Sequence, residues 1–234
     1  MAQKITPNLW FDDNAKDAAD FYIEAFKDGS IVSILNYPQT KEEGLADFQL
    51  DKAGKVLTVE FEISGFRFVN INGGSDFKPN SSISFMVNFD TTTNDQAREQ
   101  IDDLWEKLAD GGEVMMPIGE YPYSKRYGWV QDKYGVSWQL SLNESAGGEA
   151  RPFIMPSLLF GGINANKAED AMNFYTSIFE DSKVGMVARY EQETGPAKAG
   201  SLMYADFVIG GQWFAAMDSG VEQDFTFTEG VSLS

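Results

Sequence analysis

The side chains able to do chemistry here are few. The 234-residue chain contains no histidine and no cysteine. Thiol nucleophiles, disulfides and thiolate-held zinc or iron–sulfur clusters are therefore excluded. The usual general base near neutral pH, which is also the commonest metal ligand, is missing too. Any metal site would have to be all-oxygen, which favours magnesium or calcium. In Tyr121-Pro122-Tyr123-Ser124-Lys125-Arg126-Tyr127, three tyrosines surround a Lys-Arg pair. Arg126 could hold a carboxylate or phosphate in bidentate fashion while Tyr123 or Trp129 stacks on an apolar body. The competing reading is a surface loop whose Arg126 pairs with a nearby carboxylate. Glu60 and Glu62 alternate with Val59, Phe61 and Ile63. Glu60 is the leading base if the protein is catalytic, against the alternative of a solvated strand face.

These groups need a frame, and the stretch from Tyr127 to Leu142 indicates one. Gly128 to Gln131 and Val136 to Leu142 read as strands, with turn chemistry from Asp132-Lys133-Tyr134-Gly135 between them. The second strand places Val136, Trp138, Leu140 and Leu142 on one face and Ser137, Gln139 and Ser141 on the other. Such a strand belongs to a sheet with helices on one side and a polar hollow on the other. Extended along the chain, the alternation assigns Phe68, Asn70, Asn72, Ser82, Ser84, Met86 and Asn88 to the hollow beside Gln139. Val69, Ile71, Ile83, Phe85 and Val87 then pack under the helices. A concave, mostly uncharged lining suits a small neutral or weakly anionic organic molecule held by a few hydrogen bonds. Its polar residues could equally face water alone.

The elements repeat. Ile5–Phe11 reads as a strand, followed by a helix with Ala15, Ala18, Ala19, Tyr22, Ala25 and Phe26 at helical spacing and ended by Gly29. Strands at Ile31–Tyr37, Val56–Ile63 and Phe66–Ile71 complete a βαβββ repeat. A second one comprises Ser82–Phe89, a helix carrying Ala97, Ile101, Leu104, Trp105 and Leu108, and strands at Val114–Ile118, Gly128–Gln131 and Val136–Leu142. Beyond a Gly/Ala/Ser/Glu-rich linker the first repeat returns in sequence. Phe21-Tyr22 and Phe26 become Phe174-Tyr175 and Phe179, and Thr6-Pro7-Asn8-Leu9-Trp10-Phe11 becomes Met155-Pro156-Ser157-Leu158-Leu159-Phe160. The expected fold is α+β. Residues 1–145 form a complete module of two repeats (1–75 and 80–145), 146–151 are a linker, and 152–234 hold a third repeat plus the first strand of a fourth.

Paired βαβββ repeats resemble the vicinal oxygen chelate superfamily of glyoxalase I, bleomycin-resistance proteins and extradiol dioxygenases. Ile5-Thr6-Pro7 with Phe21-Tyr22, and Tyr121-Pro122-Tyr123 through Arg126-Tyr127-Gly128-Trp129-Val130 to Ser137-Trp138-Gln139, are similar to its PhnB-like branch, which also carries the label 3-demethylubiquinone-9 3-methyltransferase-like. The resemblance implies a mixed curved sheet cupped around a pocket. In metal-dependent members four ligands come from the first and last strands of both repeats, usually two His and two Glu. Here those positions fall on Pro7, Asn70, Ser84 (or Ser82) and Gln139. Proline offers no donor atom, and neutral hydroxyl and amide groups do not offset dehydration of a divalent ion. The expectation is a vestigial site holding no metal. The methyltransferase label implies a Gly-rich loop between strand and helix in a parallel sheet; Gly73-Gly74 and Gly111-Gly112 do not fit that context.

Acidic residues outnumber basic ones 36 to 18, for a net charge of −18. That excess argues against nucleic-acid binding and against docking on anionic membranes. No signal-peptide core or membrane-length apolar run is present, so a cytoplasmic protein is expected. The leading function is metal-independent binding of a small organic molecule at Asn70, Ser84, Met86, Tyr123, Arg126, Trp129 and Gln139, without a cofactor. The alternatives are an enzyme of the same superfamily with altered chemistry, or a structural or regulatory dimer without ligand. A lone third repeat would leave a sheet edge open, so a homodimer through it is expected.

Overall fold

The computed structural model describes residues 3–144 and 149–234. Three βαβββ repeats are present. The first is β1 (Pro7–Phe11), α1 (Ala15–Phe26), β2 (Gly29–Asn36), β3 (Val56–Ile63) and β4 (Phe66–Asn72). The second is β5 (Ile83–Asp90), α2 (Ala97–Ala109), β6 (Glu113–Tyr121), β7 (Ser124–Gln131) and β8 (Ser137–Asn143). The third is β9 (Ile154–Phe160), α3 (Ala168–Ile178), β10 (Lys183–Arg189), β11 (Leu202–Ile209) and β12 (Gln212–Asp218), and β13 (Val231–Leu233) closes the series. The fold is mixed α+β with two curved sheets, in the orders β13-β1-β4-β3-β2 and β10-β11-β12-β9-β5-β8-β7-β6.

Helices form where apolar residues recur at helical spacing. α1 buries Ala15, Ala18, Ala19, Tyr22 and Ala25, and α2 buries Ala97, Ile101, Leu104 and Leu108. The Tyr22 ring stacks on Phe61, which stacks on Phe68. α1 ends at a left-handed Lys27 rather than at Gly29. Gly29 opens β2 instead, where a Cβ would lie 2.5 Å from the Glu62 carbonyl.

In every repeat the first strand runs parallel to the fourth, leaving its other edge open. The open edge of β5 is taken by β9, antiparallel, and that of β1 by β13. One sheet is thus shared by the second and third repeats, not by the first and second as expected. The compact units follow this pairing: one is Asn80–Phe227 with Gln3 and Lys4, the other Ile5–Pro79 with Thr228–Ser234. The third repeat therefore has no open first strand. β9 is buried at all seven positions, so it fills the edge of β5 along an apolar length. Of the expected linker 146–151, residues 146–148 lie outside the described residues. Arg151 is anchored, with its guanidinium on the Asp206 carboxylate at 2.8 and 3.0 Å and 3.9 Å above the Trp213 ring.

The end of the fourth strand holds the start of the helix in two repeats, by different chemistry. Asn72 accepts a hydrogen bond from Ala15 N (2.9 Å) and donates one to the Val56 carbonyl (3.0 Å). Asp218 accepts from Ala168 N (3.2 Å) and Leu202 N (3.1 Å). Exchanging the residues mismatches both sites: Asn72→Asp sets a carboxylate against a carbonyl, and Asp218→Asn sets an amide NH2 against an N–H. Each change is expected to lower stability by about 1–3 kcal/mol in urea denaturation. Two neutral exchanges would show that the caps are interchangeable.

Candidate functional site

The site is built on the face of the eight-stranded sheet turned away from α2. Side chains alternate as expected on β5 and β8. Phe85, Val87, Trp138 and Leu140 form the fully buried face, with Phe85 and Trp138 in ring contact at 5.4 Å. Ser84, Met86, Ser137 and Gln139 occupy the opposite face. The Gln139 amide donates to Ser84 Oγ at 2.8 Å, and its carbonyl oxygen accepts from the Tyr127 hydroxyl at 2.6 Å. A second chain runs from Trp129 Nε1 to Ser137 Oγ (2.7 Å) and on to Ser81 Oγ (3.1 Å). Asp132, expected only as a turn residue, holds the hairpin from within: its buried carboxylate accepts from Tyr134 N, Val136 N and Trp138 Nε1.

The register between β5 and β9 sets Ser84 opposite Ser157 and Met86 opposite Met155, symmetrically about Phe85 and Pro156. This local two-fold relates Ser84 to Met155 and Met86 to Ser157. Through the parallel neighbours it also relates Gln139 to Ala215. The two halves of the face thus differ in chemistry. One carries Ser84, Met86, Gln139 and Tyr127; the other carries Met155, Ser157, Ala215 and, packed nearby, Tyr204 and Trp213, so the difference lies at Gln139 against Ala215. Tyr127, Trp129 and Leu159 form an adjoining cluster with Met115, Met116, Tyr121, Met217 and Phe225. Burial raises the Tyr127 hydroxyl well above the ordinary phenol range, with Tyr123 adding to the shift. Burial, then the Asp206 charge, raises Tyr204 as well. Asp206 is itself buried and held by Arg151.

Ser84, Met86, Trp129 and Gln139 are thus brought together. Tyr123 stands at their margin, more than half exposed, its ring 5.2 Å from Tyr127. Arg126 is not with them. The Tyr121–Tyr127 segment is no loop but a tight hairpin in which Tyr121 pairs directly with Ser124. Strand alternation then sends Tyr127 and Trp129 to one face and Arg126 to the other. There Arg126 Nε bonds Asp102 of α2 at 2.6 Å. Asn70 is also turned the other way. It lies in the five-stranded sheet, fully buried on the α1 side, donating to the Ala15 carbonyl at 2.9 Å. Phe68 and Asn72 share that face, while Val69 and Ile71, expected under the helix, lie on the opposite one. Glu60 and Pro7 belong to the same sheet. Glu60 pairs with Arg67 at 3.1 Å and accepts from Ser33 Oγ, and Pro7 sits opposite Leu233 of β13.

Sequence reasoning missed Tyr127, Met155, Ser157 and Ala215 as parts of the site. Aligning Phe89 with Phe160 across the repeats would have put Met155 and Ser157 at the positions of Ser84 and Met86.

The model of the family described as 3-demethylubiquinone-9 3-methyltransferase matches residues 3–141 and 152–234. Among solved structures, the PhnB protein from Bacillus cereus is 38% identical, covering 60% of this chain and 99% of its own, with a TM-score of 0.50. Glyoxalase I from Zea mays covers 94% of this chain and 70% of its own at 11% identity and a TM-score of 0.52, a likeness of fold alone. No protein of curated function matches. With nearly its whole length matched, three βαβββ repeats and this pairing of first strands, the chain belongs to the 3-demethylubiquinone-9 3-methyltransferase family, the PhnB-like branch of the vicinal oxygen chelate fold.

Proposed function

We propose that the protein binds a small organic molecule, without a metal ion, on the face built around Gln139. The observation that carries this reading is the Tyr127–Gln139–Ser84 set: three neutral hydrogen-bonding side chains, buried and linked to one another, bordered by Met86, Met155 and Ala215. The hydroxyl and amide groups suit one hydrogen-bonding end of a ligand, and Met86, Met155 and the rings of Tyr204 and Trp213 its apolar body. Gln139 is 1% exposed. A ligand therefore reaches it by displacing neighbouring side chains, a role for which the pliable thioethers of Met86 and Met155 are suited.

The donor chemistry supports a reading without metal. The four positions related by the local two-fold hold a hydroxyl (Ser84), an amide (Gln139), a thioether (Met155) and a methyl group (Ala215), none of them anionic. Among the described residues no group of three or more His, Cys, Asp or Glu could hold a metal ion. Methyl transfer, which the family's description names, is not part of this reading; the reading proposed is binding.

A thermal-shift screen against aromatic acids and antibiotics should give hits that Gln139→Ala abolishes. Arg126→Ala should leave them intact, because Arg126 lies on the other face. Loss on Arg126→Ala with retention on Gln139→Ala would move the site to the α2 side. A stoichiometric divalent ion in the purified protein would overturn the metal-free part.

Tyr127 adds a pH dependence. An unfolded phenol titrates near 10, and in the fold Tyr127 titrates higher. The stability contributed by its neutral form is therefore whole below about pH 10 and is lost as pH rises toward the folded value. Both stability in urea and ligand affinity should be flat from about pH 6 to 9 and fall above about 10. Tyr127→Phe should lessen the alkaline loss of stability. A midpoint unchanged by that variant would assign the loss to other groups.

A further inference from the structure

The third repeat was expected to pair with a second chain because its first strand would be open. That reason is gone, since β9 pairs with β5. A different surface takes its place. The stripe of α3 facing the sheet begins buried at Ala168 and Met172, but its continuation, Tyr175 and Phe179, is 37% and 42% exposed. Phe174 and Ile178 beside it are 58% and 55% exposed. Val184 and Val187 of the edge strand β10 extend this surface at 46% and 39%, opposite the buried Phe207 and Ala205 of β11. Two carboxylates bordering it are engaged: Glu169 with Arg189, and Asp181 with Lys4 at 3.8 Å.

We propose that the flank of α3 carrying Phe174, Tyr175, Ile178 and Phe179, with the β10 edge, is the surface through which two copies of this chain associate. Area selects a second copy as the occupant. With aromatic side chains of about 150–250 Å² each, the six exposed residues present on the order of 500 Å² of apolar surface. A standard interface of about 800 Å² per partner with a core about 65% apolar needs about that much. β10 is bulged between Val184 and Val187, which opposes edge-to-edge strand addition. The copies therefore meet through the helix face, about a two-fold axis. Each copy carries a charge of −18, so long-range repulsion opposes the encounter until salt screens it.

Sedimentation velocity of the full chain over a concentration series tests this, at about 0.05 M and about 0.5 M sodium chloride. A dimer is expected, with the fraction rising at the higher salt. Phe174→Glu and Ile178→Glu place charge at the centre of the face and should weaken association at least about tenfold. As both side chains are exposed, the circular dichroism spectrum should stay unchanged. Val184→Lys, on a different element, should act in the same direction. A monomer at every concentration and salt overturns the proposal. So does a dimer indifferent to all three variants, or a monomer that binds neutral lipid vesicles through Phe174 and Ile178.

Discussion

A βαβββ repeat satisfies one edge of its first strand with its own fourth strand and leaves the other edge bare. What fills that edge organises the rest of this chain. An unpaired edge exposes N–H and C=O groups, and an apolar one invites wrong pairing. The antiparallel partner for a first strand is another first strand: β9 for β5, and β13 for β1. Since β5 and β9 are joined about a local two-fold, their fourth strands β8 and β12 flank them symmetrically. One face of the resulting sheet draws equivalent positions from two repeats. The geometry of the candidate site is thus a consequence of strand pairing, and its chemistry of which residues each repeat kept at those positions.

The two repeats kept different ones. Ser84 and Gln139 retain hydrogen-bonding side chains where Met155 and Ala215 have none beyond a weakly accepting thioether. A buried glutamine is tolerated only with its carbonyl and amide both engaged, and Tyr127 and Ser84 provide that. The network is therefore self-consistent without a ligand, and any ligand must replace bonds already present. Such a site favours molecules that reproduce the amide's pairing over those that are merely apolar, because an imperfect replacement leaves a buried polar group unpaired.

Much of this architecture is written in periodicity. The repeat boundaries, the three helices and the two faces of β8 follow from spacing alone, since Trp138, Leu140 and Leu142 permit only one burial. β4 was not legible in the same way. Both its faces carry apolar residues, Phe66 and Phe68 on one and Val69 and Ile71 on the other, so alternation defines two faces without saying which meets the helix. Asn70 and Asn72 look like a solvated face. They in fact lie beneath the helix start, where Asn72 accepts from the otherwise unpaired Ala15 N–H and Asn70 donates to the Ala15 carbonyl. The side of the sheet that Arg126 takes is hidden for a related reason: Tyr121 to Tyr127 has the composition of a loop, but the Tyr121–Ser124 pairing makes it a tight hairpin. Which first strand pairs with which is not written locally at all, because β1, β5, β9 and β13 offer equivalent edges.

The contrast between α1 and α3 shows how little change opens a surface. The repeats align at Phe21-Tyr22 and Phe174-Tyr175, so Ala19 corresponds to Met172 and Ala25 to Ile178. Small residues along its inner stripe let α1 lie close on its sheet, and Tyr22 reaches full burial against Phe61. Met172 and Ile178 are bulkier than the alanines they replace, and Ile178 is 55% exposed where Ala25 is 5% exposed. Along the C-terminal half of α3, Tyr175 is left partly uncovered where Tyr22 is fully buried. Two alanine positions taken over by larger apolar side chains thus go together with the change from a closed helix–sheet contact to an apolar face, in keeping with how close packing limits side-chain size between a helix and a sheet.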